Sequence, residues 1–196
     1  MSGRFLVVVL FAALGACASA PTQDMADARI ALRTAEQAGA REHANTLLAR
    51  AKRSLADAEA QLESGLYEDA RANARKAAGA ALAARNVAEE IAIAKREIAT
   101  AQQLNAAVPA AESALSEAIA ASTAGQHEKA IRAARRGADI AHSQSNVIYL
   151  DRARTLRDAC QSDSSTEAEL ARADLELAGR RGAEAFEILQ RICISR

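Results

Sequence analysis

The chain offers few residues with which to do chemistry: three cysteines, three histidines, some adjacent acids and a recurring basic pair. His43, His127 and His142 are never four residues apart, so no single helix face presents two imidazoles to a metal, and no HExxH occurs. The pattern predicts no metal site. His127 follows a turn glycine and reads as a solvated residue at a helix start. Glu89 and Glu90 read as solvated acids on a helix rather than as an acid–base couple. The glycines are scattered, so no loop cradles a phosphate. Arg75-Lys76 recurs as Arg135-Arg136. These four are the candidate partner-binding residues, for an acidic partner or an anionic lipid. The plainer reading is a charged outer stripe closed by i,i+4 pairs. No catalytic constellation and no cofactor motif emerges, and the expectation is a protein that is not an enzyme.

The third kind of chemistry sits at the N-terminus. One positive charge at Arg4 precedes an apolar run of about ten residues, Phe5 to Leu14, too short for a membrane span of ~20. A charged start and a short apolar run form a secretory signal. "ASA" at Ala18 to Ala20 resembles an ordinary cleavage site, but Pro21 would then follow the cut, where its fixed φ suits the peptidase poorly. "LGAC" at Leu14 to Cys17 resembles the lipobox of bacterial lipoprotein precursors. That resemblance implies cleavage before Cys17, a diacylglyceryl thioether on its sulfur and acylation of the new amino terminus, enough chains for durable anchoring. Residue 18 is alanine rather than aspartate, which by resemblance to Gram-negative sorting implies the outer membrane, periplasmic face.

Lipid on Cys17 leaves Cys160 and Cys193. In an oxidising periplasm two such thiols pair as a disulfide. A final hairpin running out and back over comparable lengths would return Cys193 to Cys160, closing a ~34-residue loop worth ~3–4 kcal/mol in the chain-entropy model. Metal or redox use is the alternative, disfavoured because there is no CxxC and no histidine nearby.

What positions these residues is helical almost throughout. Of 196 residues half are apolar but only 3% aromatic, and about 50 are alanine, a composition of long helices and coiled coils. Such a core buries little area per residue, so the helices must lie close along a thin seam. Leu48, Ala51, Leu55, Ala58, Leu62 and Gly65 follow the 3–4 spacing of a coiled-coil seam. The expected helices are 24–38, 41–63, 67–106, 110–124, 127–159, 166–178 and 183–193, with Pro109 opening one and Ser165 or Thr166 capping another. An internal repeat with an offset of 60 residues is the stronger signal. Leu55, Gly65, Glu68, Arg75, Asn86 and Val87 reappear as Leu115, Gly125, Glu128, Arg135, Asn146 and Val147. Two helical hairpins, each bent at a glycine, form the repeated unit, and a third, shorter hairpin bends near Gly179 to Gly182. The organisation expected is a signal peptide (1–16), a lipid-anchored tether (17–23), an alanine-rich hairpin region (24–107) and a related region with a short C-terminal hairpin (108–196). The fold class expected is all-α: elongated antiparallel hairpins in a coiled-coil-like bundle.

At "LESGLYEDARANARKA" the sequence resembles a tetratricopeptide hairpin junction, with Gly65, Tyr67 and Ala70 at the glycine, aromatic and small positions and Gly125, His127 and Ala130 in the second unit. The period is 60 residues rather than 34, and the tryptophan-like position is missing. From Cys17 to Ile98 the chain is also similar to an uncharacterised family of proteobacterial envelope lipoproteins: lipobox, short tether, then one alanine-rich helical domain. In some relatives that domain precedes a peptidoglycan-binding domain like that of outer membrane protein A. The family carries no established catalytic residues, so none is transferred.

The charge balance, 25 basic against 25 acidic residues, argues against nucleic acid as partner. The reading is a non-enzymatic scaffold or adaptor, anchored by lipid in the outer membrane and docking an envelope protein or the cell wall. The alternative is a regulatory accessory lipoprotein of an envelope or cell-wall enzyme. Self-association through exposed seams is compatible with both.

Overall fold

The computed structural model describes residues 20–160 and 166–194. The signal segment, Cys17 and Ser165 lie outside the described residues. Among those described, eight α-helices and no strand occur: α1 (Thr22–Gln37), α2 (Ala40–His43), α3 (Asn45–Glu63), α4 (Tyr67–Gln103), α5 (Pro109–Thr123), α6 (His127–Ala159), α7 (Glu167–Ala178) and α8 (Gly182–Ile194). The chain is all-α. The helix expected over 41–63 is instead two, because Ala44 leaves helical geometry (φ −144°, ψ 38°).

Ion pairs between the helices report their directions. Arg29 meets Glu59 at 2.8 Å and Lys52 meets Glu36 at 2.6 Å, so α1 and α3 run antiparallel. Asp24 meets Arg75 at 2.8 Å and Glu42 meets Lys95 at 3.1 Å, so α1 and α2 run parallel to α4. Glu90 meets Arg135 and Glu97 meets His142, so α4 runs parallel to α6. Asn146 meets Gly182, and further along Cys160 meets Cys193, so α6 runs parallel to α8. The parallel helices α1, α4, α6 and α8 therefore stand side by side. Helices α3, α5 and α7 form hairpins with α4, α6 and α8.

The two long hairpins turn alike. Gly65 and Gly125 adopt left-handed φ values of 74° and 72°. In each, the next residue's N–H bonds five residues back, Leu66 to Gln61 and Gln126 to Ala121, both at 2.9 Å. This six-to-one bond closes the helix end. The third hairpin turns the same way, Arg181 N–H to Glu176 carbonyl, but its left-handed residue is Arg180 (φ 57°), not one of the flanking glycines. The local bond pattern overrides the cost of a side chain there.

Alanine makes the seam. Ala51, Ala58, Ala70, Ala74 and Ala81 are fully buried, as are their equivalents 60 residues on, Ala111, Ala118, Ala130, Ala134 and Ala141. Residues from Ala31 in α1 to Ala138 in α6 belong to one core cluster, so the regions 24–107 and 108–196 share it. The equivalence ends at Val87 (0% exposed) and Val147 (62%). The latter half of α4 packs with α5 and α6 through Ile98, Ala101, Ala111 and Ala141, whereas the latter half of α6 packs with α7 and α8 through Ala153, Leu170, Ala185 and Leu189. A separate cluster of Ala153, Leu170, Ala173, Ala185, Ile188 and Leu189 holds the third hairpin.

Two glycines permit close backbone approach. A Cβ on Gly137 would lie 3.1 Å from the Ala111 carbonyl oxygen. On Gly182 it would lie 2.6 Å from the Leu150 nitrogen and 2.7 Å from the Asn146 oxygen, against backbone that cannot turn aside. Gly182→Ala is therefore expected to destabilise the protein by ~1–3 kcal/mol in denaturant unfolding, and Gly137→Ala by less. Equal, negligible effects would contradict this packing.

Candidate functional site

The repeated basic pairs lie on the solvent side of α4 and α6. Arg75 Nε donates to Asp24 Oδ1 on α1 at 2.8 Å, and Arg135 Nε donates to Glu90 Oε1 on α4 at 2.9 Å. Each repeat thus uses the same arginine to grip the preceding parallel helix. This hydrogen bond raises the pKa of Arg75 and, from the other side, holds the Asp24 carboxyl below its ordinary range. Arg135 is raised likewise by Glu90. The pairs are solvent-exposed, where such contacts align surfaces more than they stabilise them. The second members differ. Arg136 Nη2 donates to Glu117 on α5, while Lys76 Nζ reaches only the Asn73 side-chain oxygen at 3.2 Å. Three of the four candidate docking residues are therefore engaged between helices, not by i,i+4 pairs along one helix. Among the described residues Lys76 meets no carboxylate.

Cys160 ends α6 and Cys193 lies in the last turn of α8, their sulfurs 2.06 Å apart in a disulfide that closes a sequence span of 33 residues. Both border the third hairpin's core beside Leu156 and Ile192. Arg157 Nε donates to Asp174 Oδ1 at 2.7 Å from the same end of α6, drawing α7 in and holding the Asp174 carboxyl low. Tyr149 and Phe186 pack with ring centroids 5.8 Å apart at the other end.

Nothing in the spacing of the residues points to a polar cleft beside the first hairpin. Where α2 breaks from α3, a cleft of about 390 Å³ is lined by Glu42, His43, Asn45, Thr46, Lys95, Ile119, Ser122 and Thr123. Ser122 donates to the His43 carbonyl oxygen at 2.5 Å, and the Thr46 hydroxyl donates to the Thr123 carbonyl at 3.0 Å. The end of α5 is thereby fastened to the start of α3. Burial pushes the His43 imidazole below its ordinary pKa, with Lys95 adding to the effect and Glu42 opposing it. Ser122 points its hydroxyl at backbone rather than at the imidazole. That geometry makes a joint between hairpins, not a nucleophile–base pair. Among the described residues no group of three or more His, Cys, Asp or Glu side chains is placed to hold a metal. His142 faces Glu97 at 3.4 Å, and His127 borders a cleft at the start of α6.

Compared with known protein families, with curated proteins and with solved structures, the chain matches none.

Because the third hairpin and the end of α6 share a core cluster separate from the main one, the disulfide is expected to stabilise that end selectively. Reduction, or Cys193→Ser, should cost ~3 kcal/mol in the stability of that hairpin. Hydrogen exchange should rise across α7 and α8 while α3 and α4 stay protected. Uniform loss of protection along the chain would contradict a separable hairpin.

Proposed function

We propose that the protein is a lipoprotein of the bacterial envelope, tethered through Cys17 to the outer membrane on its periplasmic face, and acts as a non-enzymatic scaffold or adaptor. The observation that carries the reading is the sequence "LGAC" at Leu14 to Cys17, which ends a short apolar run behind a positive charge. Four residues separate Cys17 from Thr22, the first residue of α1. Fully extended they reach ~15 Å, so the helical stack would sit close to the membrane face. No described helix is long and apolar enough to cross a membrane itself.

The adaptor part draws on the stack. Left-handed turns at regular intervals and side-by-side parallel helices support a tetratricopeptide-like reading of the hairpins, in which the unit is a docking surface repeated along the chain. Leu82 and Ile93 are exposed on α4. Eleven residues apart, they share one side of that helix and give an apolar footing for a partner. The exposed arginine clasps beside them keep that surface in one alignment. The Cys160–Cys193 disulfide fits an oxidising compartment.

Mass spectrometry of the native protein tests the reading. The expected N-terminal peptide begins at residue 17 and carries acyl chains, and Cys17→Ser moves the protein out of the membrane fraction. An intact peptide from residue 1, or an unmodified one beginning at Pro21, would refute the anchor. Crosslinking in intact cells then identifies the bound envelope partner.

A further inference from the structure

Among the described residues Lys76 is the one member of the repeated basic pairs without a carboxylate, and it does not stand alone. A cleft of about 310 Å³ opens between α3, α4 and the first turn of α6, lined by Leu47, Arg50, Ser54, Lys76, Gly79, Ala80, Ala83 and His127. Three different helices thus bring a guanidinium, an ammonium and an imidazole to one cavity, and no carboxylate lines it. The other three members of the repeated basic pairs, Arg75, Arg135 and Arg136, each reach a carboxylate on a neighbouring helix instead. Among the described residues Arg50 makes no ion pair, and the Ser54 hydroxyl makes no hydrogen bond, although Ser64, Thr123 and Ser145 all donate back to the carbonyl four residues before.

Gly79 adds an independent observation. It lies in the interior of the 37-residue α4, where glycine costs stability relative to alanine. Its φ is not left-handed, and a Cβ there would meet nothing within 4 Å. Folding gives no reason for this glycine, whereas Gly137 and Gly182 each answer to a close neighbour. What it does do is keep the wall of the cleft open beside Lys76. The position equivalent to Gly79 in the second unit is Asp139, and that equivalent to His127 in the first is Tyr67, so the arrangement belongs to this junction alone.

We propose that this cleft is an anion site that takes a phosphate group, with Arg50 and Lys76 supplying charge, Ser54 and His127 supplying hydrogen bonds, and Gly79 supplying room. Arg50 presents a planar fork suited to two phosphate oxygens, and Lys76 a point charge for a third. The phosphate comes either from a lipid head group or from a soluble phosphate ester. Lys76 follows Arg75, which grips Asp24 near the start of α1, so the cleft and the tether's point of attachment lie toward the same end of α4. The lipid source rests on the anchoring proposed above; the site itself does not.

The test uses the full chain with Cys17→Ser, so that no acyl chain contributes and a failure cannot be confused with failure of the anchor. Inorganic phosphate, titrated at constant ionic strength, is expected to shift the His127 ring and Gly79 amide resonances saturably. Arg50→Ala with Lys76→Ala should weaken that binding at least about tenfold, while Arg172→Ala on α7 leaves it unchanged. Gly79→Ala should raise thermal stability yet weaken binding, a split that a purely structural glycine would not produce. Sedimentation with phosphatidylglycerol and with phosphatidylcholine vesicles separates the sources. Binding to the former, lost in the double variant, assigns a lipid head group, and binding of inorganic phosphate without either vesicle assigns a soluble ester. Absence of saturable shifts, or shifts identical in the double variant, overturns the proposal.

Discussion

Helices whose contact positions are alanine must come close together or gain almost nothing from touching. Dispersion falls steeply with separation, and a methyl group has no reach with which to fill a gap. The whole stack obeys this constraint. Ala28, Ala35, Ala51, Ala74, Ala81, Ala84, Ala88, Ala94, Ala118 and Ala134 are all buried to 1% exposure or less. The largest fully buried side chains are only Met25, Leu48, Ile91, Leu189 and Val87. With so few large anchors, stability is spread over many short contacts along the length of α4 and α6. Glycine takes over where even a methyl is too much, at Gly137 against α5 and at Gly182 against α6.

Close seams also determine where function can reside. Among the described residues, clefts open where a helix breaks or a hairpin begins. The cleft at the α2–α3 break and the cleft at the start of α6 are both of this kind. Between them, the arginine clasps hold α1 against α4 and α4 against α6. The third hairpin departs from the plan. Its α8 begins on glycine, its turn carries Arg180 where the others carry glycine, and a disulfide supplies part of the attachment that a shared alanine core supplies elsewhere.

Much of this was legible in the sequence, and the reasons are local. Gly65 and Gly125 recur at the same offset as the leucines and arginines around them, so hairpin turns follow from the repeat. Pro109 sits in the first turn of α5 as its missing N–H predicts. The Cys160 and Cys193 pairing followed from their being the two thiols left once Cys17 is set aside for lipid, with a hairpin of matched arms permitting it. The break at Ala44 left no trace, because alanine is the best helix former and the surrounding pattern is continuous. Helix α4 stops at Gln103, short of the expected 106, because Asn105 takes a left-handed conformation (φ 63°) that asparagine tolerates. The side-by-side parallel order was invisible because alanines bury themselves on several sides of α4, so no single stripe marks one neighbour. Arg75 and Arg135 were legible as a repeated pair but not as clasps, since their acids lie 51 and 45 residues away. The cleft at His127 escaped notice for the same reason: Arg50, Lys76 and His127 are far apart along the chain and meet only through the fold.

The close alanine seam is tested most directly by enlarging it at its centre. Ala88 is fully buried in the main cluster, and Ala99, on the same helix, is exposed. The measurement is the free energy of unfolding of Ala88→Leu beside Ala99→Leu. A seam without spare room predicts a loss of ~1–3 kcal/mol or more at 88 and almost none at 99. If leucine at 88 is accepted as readily as at 99, the helices have room to spare and the close-packed account is wrong.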